Sequence, residues 1–265
     1  MPQLLAPDLL AGAAVFVSGG GSGVNLGIAT CLGELGAAIS ICGRSEERLQ
    51  QAAEGLKAKG IRVLTSVADV RDPEAVCMAF ARTRETFGPV SGVVCGAAGN
   101  FLSPAEKISS NGFRAVVDID LVGSFHCAHA AFDQLRETGG SLLFVSGGQS
   151  VTAYASQAHV GAAKAGVDQL MRTLAVEWGR FGIRCNSILP GPVEGTEGMR
   201  RLSEIVAQDT WVSSVPLGRY ADPAEIGRMA AVLLSPLGAY VTGSVIAVDG
   251  GLVASGATLI NKAIQ

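Results

Sequence analysis

The chain has 265 residues, 48% of them hydrophobic and 16% charged, with a formal net charge of −3. That length and apolar content suffice for one large core, and the weakly acidic balance gives no reason to expect nucleic acid or an anionic membrane as a partner. No run reaches the roughly 18 uninterrupted apolar residues of a membrane span. The opening segment MPQLLAPDLLAG lacks a basic start and a long apolar stretch, so a cleaved signal is not expected and a cytoplasmic location is.

Strand and helix patterns alternate along the chain. Ala13–Ser18 reads as a buried strand running into a glycine cluster, followed by a helix from Asn25 to Leu35. Ala38–Cys42 is the second strand, and Glu46–Lys59 an amphipathic helix closed by Gly60. Val63–Ala68 and Val90–Cys95 are the next strands, separated by a helix from Pro73 to Thr86 with proline at its start. A long helix is predicted over Gly112–Arg136, a fifth strand over Ser141–Val145 and another helix over Ala158–Phe181. Ile183–Ile188 is the sixth strand, leading to Pro190-Gly191. Val193–Val215 reads as irregular and mobile, Pro223–Leu234 as a helix and Ser244–Val248 as the last strand. Repeated βα units with right-handed crossovers imply a single α/β domain over residues 1–265, a Rossmann-type, doubly wound parallel sheet. The six cysteines form no Cys-x-x-Cys pair and read as buried free thiols. With only three histidines, no metal-ligand spacing is present.

The first strand runs into Ser18-Gly19-Gly20-Gly21-Ser22-Gly23-Val24. Glycines there let backbone N–H groups approach a pyrophosphate at the positive end of the next helix, which marks Gly19, Gly21, Ser22, Gly23 and Val24 as cofactor-binding. The alternative is a bare turn. Asn25 stands where a third glycine is usual; because Asn tolerates unusual dihedrals, an adjusted turn with intact binding is expected. About 20 residues on, an acidic residue would select NAD; Arg44 and Ser45 stand there instead, with Arg48 a turn later. Arg44 is suited to stack on adenine and pair with a 2′-phosphate, so NADP(H) is the expected cofactor; a merely solvated arginine is the alternative. Asp69 and Val70, after the third strand, are placed to read the adenine amine, with a helix-capping Asp69 as the alternative.

Together with Cys95-Gly96-Ala97-Ala98-Gly99, Pro190-Gly191-Pro192 and Val248-Asp249-Gly250-Gly251, these features resemble the short-chain dehydrogenase/reductase family over nearly the whole chain. The resemblance adds Ala97, Lys164, Pro190, Gly191, Val193 and Thr196 to the cofactor residues. That family's catalytic Tyr-x-x-x-Lys falls on His159-Val160-Gly161-Ala162-Ala163-Lys164. Lys164 matches, but Val160 replaces the tyrosine and has no proton to exchange. The serine expected after strand five is displaced too: Gly147 and Gly148 flank its place.

The departure points to one branch. Gly99 to Pro104, Val117-Asp118-Ile119-Asp120, His159 to Lys164 and Gly195 to Leu202 resemble the 2,4-dienoyl-CoA reductases, especially the peroxisomal type, which also lack the tyrosine and carry aspartate where Asp120 stands. The resemblance implies NADPH-dependent reduction of a 2,4-dienoyl-CoA thioester to a 3-enoyl-CoA, with an acyl-CoA as substrate partner and a homo-oligomer, tetramer favoured. Hydride enters at the δ carbon, charge moves to the thioester oxygen and a proton reaches a carbon; that chemistry needs donors around a developing enolate and a proton source. Lys164 and Asp120 are the expected catalytic pair, Lys164 binding the nicotinamide ribose and Asp120 helping it polarise a water. A surface lysine and a structural helix acid are the alternatives. Asn100, Phe101, Ser109, Ser110 and Asn111 match the family's substrate region; Arg71 and Arg201 are placed to meet CoA phosphates. His159 reads equally as a substrate contact or a buried, hydrogen-bonded histidine, and Tyr154 as a substitute acid or an ordinary loop aromatic. Two further readings stay open: a short-chain reductase for another activated alkene or carbonyl, and a silent NADP-binding protein.

Overall fold

The computed structural model of the chain describes residues 5–196, 199–200 and 207–256. Its centre is a seven-stranded, all-parallel sheet of order β3-β2-β1-β4-β5-β6-β7. The strands are β1 (Ala14–Ser18), β2 (Ala38–Gly43), β3 (Val63–Val67), β4 (Gly92–Cys95), β5 (Ser141–Val145), β6 (Arg184–Pro190) and β7 (Val245–Val248). Within β1, Val15 and Val17 face one core while Phe16 faces the other, the period of two that both covered faces of a parallel sheet require.

Helices α1 (Gly23–Glu34), α2 (Glu46–Ala58) and α8 (Pro223–Leu234) cover the first face. α1 and α8 approach closely because glycines lie in their contact: a Cβ on Gly27 would stand 2.6 Å from Pro223, and one on Gly227 2.5 Å from Cys31. Helices α3 (Pro73–Phe87), α5 (Gly123–Thr138) and α6 (Ala158–Trp178) cover the other face. Strand order reverses between β1 and β4, so a crevice opens beyond the carboxyl ends of these two strands, where ligands bind in open α/β sheets. The register sets Ser18 beside Cys95 there.

The long helix differs from the continuous one expected. It runs as α4 (Ser110–Val117), a π-turn over Asp118–Val122, and α5. In the π-turn the Gly123 amide reaches back five residues to the Asp118 carbonyl. A Cβ on Gly123 would stand 2.5 Å from Val70, so glycine lets the widened turn press against the segment that follows β3. Such turns recur at functional sites, and this one turns Asp120 inward, where it is buried. The run Ser110–Thr138 is long and apolar enough to cross a membrane by length and composition, but α5 packs through Cys127, Ala128, Ala131 and Leu135 into the core.

Two other expectations are corrected. The 193–215 stretch is not irregular throughout: α7 spans Gln208–Ser214, and Val193 forms a parallel bridge with Ala221. The bridge turns the chain after β6 back over the sheet's end. Of the six free cysteines, Cys77 is exposed on α3 while the other five are buried.

Candidate active site

The β1–α1 turn has the features of a phosphate cradle. Gly19 and Gly23 take φ of +69° and +60°, a region that L side chains rarely adopt. A Cβ on Gly20 would lie 2.6 Å from Ile41. Ser22 is the N-cap of α1 but makes no side-chain capping bond, and the first turn holds no acidic residue. The first amides of α1, those of Gly23 and Val24 among them, therefore face no competing carboxylate, as an anion at a helix N-terminus requires. Gly21 has ordinary room around it, its nearest neighbour being Leu49 at 3.5 Å from a Cβ.

Asn25 corrects the dihedral account given for it. It sits in the first turn of α1, and Ser156 is the one non-glycine residue with positive φ among those described. Its side chain serves as a tie instead: Nδ2 donates to the Gly96 carbonyl at 2.7 Å and to the Gly19 carbonyl at 3.4 Å. Ser18 Oγ accepts from the amides of Gly96 (3.0 Å) and Ala97 (3.2 Å). The phosphate turn is thus fastened across the crevice to the end of β4. The missing third glycine gave no hint of this tie; Gly96, small and next to a tight strand end, was the available signal.

At the other end of the turn, a Cβ on Gly23 would lie 3.9 Å from Thr196 Cγ2. Thr196 Oγ1 donates to the Val193 carbonyl at 3.0 Å. Pro190 ends β6, and the Gly191 amide donates to Val248 at 3.0 Å, so close to Asp249 that a Cβ would stand 2.6 Å from its Cα. The structure therefore brings the 190–196 loop over the start of α1. Arg201 lies outside the described residues.

Arg44, Ser45 and Arg48 follow β2 and are exposed. Ser45 caps α2 through the Arg48 amide (3.3 Å). Asp69 is no helix cap: Asp72 is, accepting from the amides of Glu74 and Ala75. Asp69 instead grips Arg71, with Nε–Oδ1 at 3.0 Å and Nη2–Oδ2 at 2.6 Å. The Arg71 hydrogen bond, with the charge of Arg44 as a lesser cause, holds the Asp69 carboxyl below its usual range. Arg71 thus stands beside Asp69 on the Arg44 side of the sheet. Val70 is buried against Gly123, and its carbonyl pairs with His126 Nδ1 at 2.8 Å.

The two residues expected to be catalytic, Lys164 and Asp120, meet in the core of the cleft. Lys164 is 7% exposed, not a surface lysine. Its Nζ donates to the Val145 carbonyl at 2.9 Å and stands 3.1 Å from Asp120 Oδ2. Asp120 Oδ1 accepts from the Gly99 amide at 2.7 Å. Oδ2 is buried and faces the Lys164 ammonium. Val160 is 3% exposed and packs with Val116 and Ala163, which leaves the family's tyrosine position apolar.

The substrate-region residues gather at the starts of α4 and α6. Ser109 caps α4 by accepting from the Gly112 amide at 3.0 Å; Ser110 and Asn111 open that helix and are exposed, as is Asn100. Phe101 lies against His159, with the ring centroids 4.1 Å apart and the planes tilted by 39°. His159 is fully buried; neither ring nitrogen has an in-line hydrogen-bond partner, and the Phe101 carbonyl is the polar backbone group that interacts with the ring. Burial pushes its pKa down, opposed by the Phe101 carbonyl and the charge of Asp120, so the ring is held neutral.

The Enoyl-(Acyl carrier protein) reductase family model matches residues 19–253. A peroxisomal 2,4-dienoyl-CoA reductase [(3E)-enoyl-CoA-producing] of Saccharomyces cerevisiae is 42% identical over 250 residues, 93% of this chain and 86% of that protein. A probable 2,4-dienoyl-CoA reductase [(2E)-enoyl-CoA-producing] of Bacillus subtilis is 40% identical over 244 residues, 90% of this chain and 95% of that protein. Among solved structures, a gluconate 5-dehydrogenase from Burkholderia cenocepacia in complex with NADP and tartrate superposes with a TM-score of 0.87 at 29% identity, covering 94% of this chain and 98% of that one.

Proposed function

The chain belongs to the short-chain dehydrogenase/reductase family, and from that premise we propose that it is an NADP(H)-dependent 2,4-dienoyl-CoA reductase forming a 3-enoyl-CoA. The observation that carries the reading is the buried Lys164–Asp120 pair beside an apolar Val160. A ketone reductase must protonate an alkoxide, and Val160 supplies no acid for that; a conjugated thioester must be protonated at carbon, which a held water can do.

Bound NADPH would supply the hydride to the δ carbon. The amides at the start of α1 would hold its pyrophosphate, and Lys164 its nicotinamide ribose. Asp120, held against Lys164 Nζ, would help it position and polarise a water for delivery of the proton. The Gly99 bond to Oδ1 fixes that carboxylate in rotation. Phe101, Asn100, Ser109, Ser110 and Asn111 would meet the acyl-CoA. Arg71, paired with Asp69 near Arg44, supports the adenosine side of the cleft better than a separate CoA site. The reading includes one domain over residues 1–265, a homo-oligomer with a tetramer favoured, and a cytoplasmic location.

The test is NADPH oxidation by the purified protein with trans-2,trans-4-hexadienoyl-CoA, with trans-2-hexenoyl-CoA as comparison and the product identified by mass spectrometry and NMR. Turnover of the diene alone, giving the 3-enoyl thioester, is expected; turnover of the monoene alone, or of neither, refutes the reading. The cofactor choice is tested separately. A charged-group hydrogen bond is worth about 1.5–3 kcal/mol, so Arg44→Ala is expected to weaken NADPH binding roughly 10- to 100-fold while NADH binding changes little. Equal losses for both in fluorescence titrations would remove Arg44 as the 2′-phosphate selector.

A further inference from the structure

The proposed reduction needs a hydrogen-bond donor at the thioester oxygen, and the groups expected to give one are absent or engaged. Val160 has no proton to offer. Gly147 and Gly148 flank the serine's place, and the hydroxyl of Ser150 nearby, though without a hydrogen-bond partner, is buried. Ser146 Oγ is spent on Asp168 Oδ2 at 2.9 Å, Lys164 Nζ lies between Val145 and Asp120, and His159 is sealed beneath Phe101.

The two glycines show what fills the space. A Cβ on Gly147 would stand 4.0 Å from Lys164 Cγ, so this glycine borders the catalytic lysine. A Cβ on the next residue, Gly148, would stand 3.0 Å from the Tyr154 hydroxyl and 3.4 Å from Val253 Cγ1. The phenol of the β5–α6 loop therefore reaches back over the end of β5 into the room a side chain at 148 would take, one residue from the glycine that borders Lys164. Val253 is tied to the site from the other side, since its amide donates to Asp249 Oδ2 at 2.8 Å. Tyr154 is partly buried. Burial raises its pKa, and the charge of Asp249 adds to this, so the hydroxyl keeps its proton at neutral pH.

We infer that Tyr154 is a further catalytic residue, whose hydroxyl donates a hydrogen bond to the thioester oxygen of the substrate as enolate charge develops there. The inference rests on the dienoyl-CoA reductase reading. Tyr154 keeps its proton throughout: hydride adds at the δ carbon, the π electrons shift toward the thioester oxygen, and the proton that completes the product comes from the water at Asp120. One phenol, entering from the loop, thus takes over the donor function of the missing serine and tyrosine. The glycine pair at 147–148 is the condition for its entry.

The experiment compares Tyr154→Phe with wild type in the hexadienoyl-CoA assay. Loss of one oxyanion donor lowers kcat by about 10²–10³; that loss is expected, with the KM for the thioester, the Kd for NADPH and the melting temperature little changed. A kcat within threefold of wild type overturns the inference, as does a loss confined to KM, which would make Tyr154 a substrate contact and nothing more. If Tyr154→Phe fails to fold, Gly148→Val decides: a Cβ alone would already stand 3.0 Å from the hydroxyl, so a branched side chain cannot share that space with it, and a wild-type kcat there overturns the inference. A wild-type protein that leaves the diene unreduced refutes the underlying reading and this inference with it; an active wild type with an undiminished Tyr154→Phe refutes the inference alone.

Discussion

Asp120→Asn is expected to lower dienoyl-CoA turnover by at least two orders of magnitude while leaving the NADPH dissociation constant within about threefold, since a positioned acid–base group contributes typically 10²–10⁴ in rate. Asparagine keeps an oxygen for the Gly99 amide, so the loop after β4 stays in place. What it removes is the negative charge 3.1 Å from Lys164 Nζ, and with it the basic oxygen that would polarise a water. Asp120→Ala should lose turnover at least as strongly, but for two reasons at once. It orphans the Gly99 amide in addition to leaving a buried ammonium without its counter-charge, a cost of about 3–5 kcal/mol that the asparagine variant shares. Both variants are therefore expected to melt lower than wild type, the alanine variant lowest because it also orphans the Gly99 amide, so the asparagine variant is the cleaner test of chemistry. The measurement is kcat for hexadienoyl-CoA beside NADPH titration and a thermal melt. An Asp120→Asn protein that turns over at the wild-type rate would make Asp120 a structural helix acid and remove the water mechanism.

The fold was legible because two periodicities are written plainly into the chain. The apolar runs of β1, β4 and β5 are strands buried on both faces, and the capped starts at Ser45, Asp72 and Asp222 fix where α2, α3 and α8 begin. The order reversal at β1 and β4 follows from right-handed crossovers, so the place of the crevice was legible too. What remained hidden depends on contacts between residues far apart in sequence. The π-turn at Asp118–Val122 leaves no mark on helical periodicity, because residues on both sides of it continue the apolar face; its cause lies at Val70, more than fifty positions earlier, pressed against Gly123. The short helix α7 buries no side chain, so no apolar stripe announced it. At the site, Lys164 and Asp120 were found through motif positions, but the sequence gives no distance between a helix after β4 and one after β5. Tyr154 was weighed as a loop aromatic because spacing from Lys164 says nothing of its direction. The empty Cβ position at Gly148 is the fact that gives it one.

Gly96→Ala should damage cofactor binding without touching any group that reacts. A Cβ at residue 96 would stand 2.2 Å from Asn25 Oδ1, 2.5 Å from Cγ and 2.7 Å from Nδ2, so the whole amide must leave its place. With it go the bonds to Gly96 and Gly19 that hold the phosphate turn against β4. Overpacking of this kind costs typically about 1–3 kcal/mol, and the lost hydrogen bonds about 1 kcal/mol more. Since the strain falls on the turn whose amides would hold the pyrophosphate, NADPH affinity is expected to drop at least tenfold, about 1.4 kcal/mol. Asn25→Gly alone should do less, because it removes the tie without forcing the strand end away. The decisive protein is the double variant Asn25→Gly with Gly96→Ala. Glycine at 25 vacates the space that alanine at 96 needs, so the double variant is expected to bind NADPH more tightly than Gly96→Ala alone, with a coupling energy of about 0.5–3 kcal/mol for residues in direct contact. Titrations on all four proteins measure it. Simple addition of the two single losses would show that Asn25 and Gly96 act independently, and that the departure at position 25 has no structural partner at position 96.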